Sequence, residues 1–552
     1  MSTCQLKMSQ SFSFVSTPPS NPGKPDNFHS ALNEQPHASS LLAATKAGSE
    51  ILVTAHAEDT NLPVPETPKR KVIVVGAGIS GLRAASVLQR HGLEVVVLEG
   101  RDRIGGRICT TRPEGKPARD IGAAWMHETS QNKLVKLIPK LGIEYYYDDG
   151  APLYYTSHGR AGAQFKAKKV ADEFADYVDW YYTANPDAED KSVDDFVQEF
   201  VNQHELINDD ERLWAPQAVK EVEQWLGTST SQASSKYLSY FVTERNMYMK
   251  GGYDSIVNWT AESLRKSPNT IQLNQLVTHV NWSETGLNPV SVRCKGPNDE
   301  VQTIIGDAIV ITTPLGTFHH ELISFDPPLP KDIQNGINNL SYGALGKVFF
   351  EFSEVFWSKN NDQFIYYPSP GQNATNNVEN GSSASSHDSS GYNSVDNILN
   401  HATVTVNLTM VADSKELCVQ IVEPLTQRVE AMTDKNELYK FFEPLFLLLR
   451  TEPYKALPGL VNIETTRWTQ DPLAGFGTYS IEKVGDNPYL LLDALKNHKD
   501  SRLQFAGEHL ISAGGGCVHG AFASGEEAAI KLLNPLGIRY DGGDLVSINK
   551  VP

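Results

Sequence analysis

Residues 71–107 read KVIVVGAGISGLRAASVLQRHGLEVVVLEGRDRIGGR. Val72–Val75 is a run of β-branched apolar residues, the pattern of a strand buried on both faces. Gly76, Gly78 and Gly81 follow in the spacing G-x-G-x-x-G. In that spacing the first glycine allows a tight turn, the second lets a pyrophosphate approach the backbone, and the third lets the next helix pack close to the strand. The pattern predicts a helix from about Ser80 to Arg90, with Ile79 and Ser80 at the end whose N–H groups would face phosphate. Val95–Leu98 reads as a second strand. It runs into Glu99, 23 residues after Gly76, against the roughly 20 expected for an acid that binds a ribose hydroxyl. An acid there, rather than an arginine, suits an unphosphorylated ribose. A lone glycine fingerprint often marks only a turn. This one follows a strand, opens a helix and closes on an acid, so it reads as a dinucleotide-binding unit. It does not choose between NAD and FAD.

The chain has 552 residues, enough for two or three domains. Hydrophobic residues make up 40% and charged residues 21%, the balance of a soluble globular protein. A net charge of −18 argues against nucleic acid or an anionic membrane as the main partner, since both need a basic face. It is compatible with a cationic small molecule. The five cysteines, Cys4, Cys109, Cys294, Cys418 and Cys517, form no C-x-x-C pair and no metal-ligand spacing. No metal site is expected, and the scattered thiols fit a reducing compartment. No apolar run is long enough to span a bilayer, MSTCQLKMSQSFSFVS lacks a secretory core, and the closing INKVP is no peroxisomal signal. The expected location is the cytoplasm. Glycosylation sequons at Asn373 and Asn407 carry little weight without a signal peptide. The oligomeric state stays open.

Residues 1–69 are polar, Ser/Pro/Asn-rich and aperiodic, and read as a disordered tail. Helical periodicity dominates from about 130 to 245, as in ADEFADYVDWYY and SVDDFVQEFVNQ. NTIQLNQLVTHVNW and DAIVITTPLG read as strands that return to a sheet. The 368–400 region is Ser/Asn/Gly-rich and reads as a low-complexity inserted loop. The expected fold is therefore α/β. A Rossmann-like domain is split over 70–150, 246–320 and 465–535, and an α+β substrate domain is inserted over 151–245 and 321–464; 536–552 reads as a C-terminal tail. Such a split places a ligand site between the two parts.

The stretch EGRDRIGGR resembles the second motif of the flavin-containing amine oxidase family. Further resemblances extend from Lys71 to Leu533 and are nearest the polyamine and spermine oxidase branch. The resemblance implies FAD, held by Glu99, Gly100, Arg101, Gly105, Gly106 and Arg107 in addition to the glycine turn. Arg101 and Arg103 also fit a solvated basic turn. In DIGAAWMHETS, the residues Gly122, Ala123, Ala124 and Trp125 match a segment that lies against the flavin, and His127 matches a position that lines the substrate tunnel. Histidine there can bond an amine and change charge near neutral pH; it equally fits a core histidine satisfied by a carbonyl. Val277 matches a strand valine that meets the adenine through its backbone. Thr313, Pro314 and Leu315 match the crossing back to the substrate domain.

In GALGKVFFEFSEVFW, Lys347 matches the lysine that holds a water against flavin N5. A lysine heading the apolar run Val348–Phe350 is also expected to be partly buried, which lowers its pKa; a lysine snorkelling at a strand end is the alternative. Trp468, Asp471 and Pro472 match a W-x-x-D-P turn. Gly477 and Tyr479 match a G-S-Y motif with one extra residue between them, which makes Tyr479 the candidate aromatic wall. Gly507 and Glu508 match an FAD-binding Gly-Glu. Gly516, Val518, His519, Gly520 and Ala521 match G-x-V-H-G-A, which opens a helix aimed at the flavin's pyrimidine end, where negative charge develops on reduction. Cys517 takes the place of the usual Tyr or Thr beside the flavin. It leaves one aromatic wall where relatives have two, or is an inert small residue.

By resemblance, FAD takes a hydride from the carbon next to an amine nitrogen, the imine hydrolyses, and O2 reoxidises the cofactor to H2O2. The implied substrate is a small-molecule amine, with a polyamine first: spermine, spermidine or an acetylated form. FAD is expected to be non-covalent, and Lys347, His127 and Tyr479 are the candidate catalytic residues. A bulkier amine or an amino acid is the alternative, and an amino acid would need an arginine to clamp its carboxylate. A redox-inactive flavin-binding scaffold is the rival of another class.

Overall fold

The structure, a computed structural model, describes residues 70–148, 150–162, 165–238, 246–282, 289–371, 396–498, 502–542 and 545. The tail expected over 1–69 and the centre of the 368–400 loop lie outside the described residues. So does Asn373.

The strand read from the opening stretch is Lys71–Val75, and it occupies the middle of a five-stranded parallel sheet. Its neighbours are Glu94–Leu98 on one side and Ala308–Ile311 on the other; Ile271–Gln272 and Leu503–Phe505 form the edges. Side chains alternate across a strand, so the two faces separate by parity. Val72, Val74, Val95, Val97 and Val310 pack against the helices Ile79–Arg90, Asp254–Arg265 and Val518–Leu533. Ile73, Val75, Val96, Leu98 and Ile309 pack against Val277, Val280, Val290 and Val292 of a second sheet. Both faces are covered, which is why these strands read as continuous apolar runs.

Both stretches read as returning strands do enter sheets, though not wholly the same one. Ile271–Gln272 and Ala308–Ile311 do join the parallel sheet, but Leu276–Asn281 does not. It pairs antiparallel with Val290–Lys295 and parallel with Ser324–Asp326 in a four-stranded sheet. Only Val277 and Val280 of this strand are buried, with a register shift between Val277 and His279, whereas Val72–Val75 are buried without a break.

The other large sheet has seven strands, in the order Leu460–Thr465, Leu345–Phe352, Glu416–Val422, Thr403–Asn407, Gln363–Tyr366, Leu153–Thr156 and Gly159–Arg160. The helices Ala167–Ala184, Val193–Gln203 and Asp209–Val219 share a core with Ile365, Tyr367 and Val404. Leu425–Ala431 and Lys435–Leu449 pack with Val348, Phe350 and Phe352. Parity then fixes a functional position. In Leu345–Phe352 the even residues enter that core, whereas Phe349 faces the other way, onto Ala124, Tyr248 and Cys418. Lys347 shares the parity of Phe349 and is directed toward the 120–125 segment of the nucleotide-binding part. The sequon residue Asn407 is fully buried, its side chain spanning Trp357, Ser358 and Asn361. Among the described residues no helix is long and apolar enough to cross a membrane.

The first and last long helices cross backbone to backbone. A Cβ on Gly525 would lie 2.1 Å from the Ser80 carbonyl oxygen. Gly525→Val should therefore lower the unfolding midpoint by the equivalent of about 1–3 kcal/mol or more, the range for overpacking. Urea unfolding followed by circular dichroism checks this, and an unchanged midpoint would contradict the crossing.

Candidate functional site

One cavity of about 1400 Å³ runs along the carboxyl end of the parallel sheet and on toward the seven-stranded sheet. An ordinary small-molecule pocket holds roughly 300–1,000 Å³, so there is room for a dinucleotide and a second molecule.

Two glycine turns build its floor. Gly76 has φ +104°, a conformation that favours glycine, and a side chain there would collide with Thr312 Oγ1 at 2.7 Å. Gly78 faces open space, the condition for a ligand's close approach. It also bridges to Gly105, and a Cβ on Gly106 would come within 3.4 Å of the Gly78 Cα, so the turns meet through backbone alone. Helix Ile79–Arg90 begins here with no side-chain cap and no acid in its first turn, which leaves its N–H groups for an anion. Glu99 is buried. Its Oε2 accepts from the Ala77 N–H at 2.8 Å and its Oε1 from the Arg101 N–H at 2.9 Å. Burial pushes its pKa up, against the pull of those two N–H groups.

Gly76, Gly78, Ile79, Ser80, Glu99, Gly100, Arg101, Gly105, Gly106, Arg107, Val277, Cys517 and Val518 line this cavity. Two candidates do not. Gly81 lies beneath the turn, where a Cβ would sit 2.1 Å from the Gly76 carbonyl oxygen. Gly507 is also behind the wall: its N–H donates to Ser524 Oγ, and a Cβ would strike the His509 ring. Both act through packing. The solvated-turn reading of the arginines fails as well. Arg101 forms an ion pair with Asp471 at 2.8 Å, and Arg103 donates to the carbonyl oxygens of Ile104 and Gly106.

Arg107 reaches across the cavity. Its Nη1 donates to Glu508 Oε1 at 2.8 Å, to the Thr478 carbonyl oxygen at 2.7 Å and to the Tyr342 hydroxyl at 3.2 Å. Glu508 also accepts from Ser480 Oγ at 2.6 Å. Burial alone would raise the Glu508 pKa, but Arg107, His509 and Ser480 together hold it below the ordinary 4.5. The helix Val518–Leu533 opens onto the same space, with Cys517 at its N-cap and no side-chain cap.

Gly122, Ala123, Ala124 and Trp125 form the wall next to Lys347. Lys347 is buried, and its Nζ donates to the Gly122 carbonyl oxygen at 2.5 Å and to that of Asp120 at 3.2 Å. Its pKa is lowered by burial, which overcomes the opposing pull of Cys418 and Asp120. A snorkelling lysine is ruled out.

His127 also lines the cavity. Its Nδ1–H donates to Asn246 Oδ1 at 2.9 Å, and its ring stands edge-on to Trp225 at 5.3 Å. Burial lowers its pKa, which favours the neutral ring with a lone pair on Nε2. Tyr479 is another wall. Its hydroxyl donates to the Gln224 carbonyl oxygen at 3.4 Å, and Gly227 makes room for its ring. Asn246, Trp225 and Gln224 carry no sequence signal: they lie on a loop and a four-residue helix with no motif or period.

The residues present fit FAD. The open Gly78, the uncapped helix start and the buried Glu99 suit a dinucleotide, and the second uncapped helix start with Glu508 suits a flavin ring and its side chain.

The family pattern described as flavin containing amine oxidoreductase matches residues 79–533, and that of pyridine nucleotide-disulphide oxidoreductases matches 36–117. The corticosteroid-binding protein of Candida albicans is 28% identical, over 85% of this chain and 96% of its own length. Polyamine oxidase 4 of Oryza sativa subsp. japonica is 28% identical, over 86% and 91%. A solved putrescine oxidase, in a variant redesigned for cofactor binding, superposes with a TM-score of 0.63 at 18% identity over 85% of this chain and 99% of its own, which speaks for the fold. The chain belongs to the flavin containing amine oxidoreductases: it is an FAD-dependent oxidoreductase.

Two outcomes follow. Glu99→Ala should weaken FAD retention roughly tenfold or more, the scale of a lost hydrogen bond to a charged group; the flavin-to-protein absorbance ratio after gel filtration reads this, and full loading would contradict it. Because the folded pKa of Glu508 is depressed, its stabilising contribution is whole above about pH 4.5 and is lost as pH falls through the folded value. Glu508→Gln should flatten the fall in melting temperature below pH 4.5; an unchanged slope would contradict the pairing with Arg107.

Proposed function

Taking membership of the flavin-containing amine oxidoreductases as the premise, we propose that the protein oxidises a polyamine, with O2 as electron acceptor. The observation that carries this reading is the charge of the wall beyond the flavin cradle. There the cavity is lined by Glu128, Asp148, Asp172 and Glu221; Lys168 pairs with Asp172 at 2.5 Å and lies 4.0 Å from Glu221, so the acids outnumber the cation and the wall stays net negative. Such a wall attracts a molecule with several ammonium groups.

When bound, FAD supplies the oxidant for the carbon–hydrogen bond next to an amine nitrogen, and O2 takes the electrons on as H2O2. The chain's own residues orient and deprotonate. The reacting nitrogen must be neutral to release its neighbouring hydride. His127, held by Asn246, presents Nε2 as an acceptor for a nitrogen-bound proton. Lys347, its pKa lowered by burial, anchors the Gly122 backbone and can hold a water beside it. Tyr479 confines the substrate from a third side.

FAD is bound without a covalent link in this reading. Burial pushes the thiol of Cys517 up to about 12, so it offers no thiolate to a flavin. Acid precipitation should leave the flavin in the supernatant; a yellow pellet would sink this part. A small residue at Cys517, which lines the cavity with Tyr479, favours a second reading, a bulkier amine. An amino acid is disfavoured, because the arginines that line the cavity, Arg101 and Arg107, are held by Asp471 and Glu508. Free Cys109, Cys294, Cys418 and Cys517 suit a cytoplasmic location.

The test is Lys347→Met. An oxidase should keep FAD and lose peroxide production from spermine by about a hundredfold or more, the scale of a lost acid–base group. A flavin-binding scaffold should make no peroxide before or after the change.

A further inference from the structure

Gln420 stands beside Lys347 in the seven-stranded sheet. The strand Glu416–Val422 pairs antiparallel with Leu345–Phe352, and Gln420 is the direct partner of Lys347. Directly paired residues share a face of the sheet. Two residues earlier, Cys418 packs with Phe349 on that face, whereas Leu417, Val419 and Ile421 enter the helix-covered core. Alternation therefore directs the Gln420 side chain to the cavity, which it lines together with Lys347. The residue is 9% exposed, and no described residue hydrogen-bonds its amide. That amide still opens onto the cavity, unlike the amide of Gln224, whose two polar atoms are sealed off. Buried polar groups are nearly always satisfied, so an open amide without a partner points to one that arrives from outside the chain.

The rest of the cavity floor describes that partner. Past Gln420, the next two strands supply Val404 and Val406 and then Gln363, whose Nε2 already donates to Asp148 Oδ1 at 2.8 Å. Neighbouring strands lie about 4.8 Å apart. An extended N–C–C–C–N run covers about 5 Å by its bond lengths. A polyamine laid across the strands from Lys347 thus meets an amide, then apolar side chains, then a carboxylate, in step with its own nitrogens and methylenes. An amide also suits its place. A carboxylate paired with Lys347 would favour the ammonium form of that lysine, whereas Oε1 accepts an N–H and carries no charge.

We infer that Gln420 determines specificity by accepting, through Oε1, an N–H of the substrate nitrogen next along the chain from the one that reacts. Holding that nitrogen one strand away from Lys347 sets how far the chain enters, and so which carbon meets the flavin. The inference rests on the amine-oxidation reading and adds the residue that registers the substrate.

The experiment is a nitrogen scan of spermidine on the FAD-loaded enzyme. 1,8-Diaminooctane, N-pentyl-1,3-diaminopropane and N-butyl-1,4-diaminobutane each put carbon in place of one nitrogen at unchanged length. Wild-type protein, Gln420→Met and Gln420→Glu are assayed for kcat/KM, and for the rise in melting temperature that each amine produces. In the wild type, the analogue lacking the nitrogen held by Gln420 should lose about tenfold to a hundredfold against spermidine, the scale of one hydrogen bond to a charged group. In Gln420→Met, which keeps the length and removes both polar functions, that penalty should vanish, while loss of the reacting nitrogen stays as costly as before. Gln420→Glu, which keeps acceptor oxygens, should retain the penalty. A merely structural role would lower all four amines alike and leave the penalties in place. Equal penalties in the wild type and Gln420→Met overturn the inference. Should Gln420→Met fail to load FAD, Gln420→Leu takes its place in the same comparison. If spermidine is not oxidised, the functional reading fails and the melting temperatures decide. A preference for spermidine over one analogue that Gln420→Met loses supports the role of Gln420; a preference that it keeps, or none at all, overturns it.

Discussion

Arg107 is the constraint on which the site depends. One guanidinium nitrogen ties the second glycine turn to Glu508, a residue 401 positions later, and to the Thr478 backbone and the Tyr342 hydroxyl. Three distant parts of the chain are thereby fixed around one cavity. Glu508 is buried, and the Ser480 and Arg107 bonds leave it ionised. Breaking a buried pair by removing one partner costs about 3–5 kcal/mol, because the other charge is left uncompensated. This knot is thus a demanding feature of the fold, and it lies where a flavin's side chain would pass.

From that anchor the geometry follows by simple rules. The nucleotide cradle is backbone meeting backbone, so it needs glycine at Gly76, Gly105 and Gly106. The catalytic candidate Lys347 comes from another sheet, and strand parity sends it back toward the cradle. Its Nζ ends on two carbonyl oxygens of the 120–122 segment, which joins the sheets at the reacting centre. Burial then does the electrostatic work: it lowers the pKa of both Lys347 and His127.

Much of this was legible in the sequence because backbone constraints leave marks. Glycines at positive φ, an acid at the end of a strand and an alternating strand headed by lysine can all be read as text. Glu99 was read that way, and Lys347 was expected to be partly buried, while Arg107, Glu508 and the role of Lys347 came through the resemblance. The helical patterns around Phe174 and Phe196 became the helices they suggested, since a single apolar stripe decides them. What went unread had a different cause. Leu276–Asn281 was legible as a strand, but which sheet it joins was not, because pairing is a tertiary fact. Gly81 packs the helix against the turn, as its place in the spacing says, whereas Gly507 carries a motif letter yet lies behind the cavity wall. Gln224, Trp225 and Asn246 left no mark at all. They reach the cavity because a short helix and a loop are folded against His127 and Tyr479, and local sequence does not record where such segments dock.

In the proposed reading, one continuous cavity brings an amine to the flavin. Anaerobic addition of spermine, spermidine, their acetylated forms and simple monoamines to the FAD-loaded protein tests it most directly. Bleaching of the flavin band by a polyamine is the predicted result. A flavin that stays oxidised with every one of these amines, in protein that holds FAD fully, would contradict the account and leave the acidic wall without its proposed substrate.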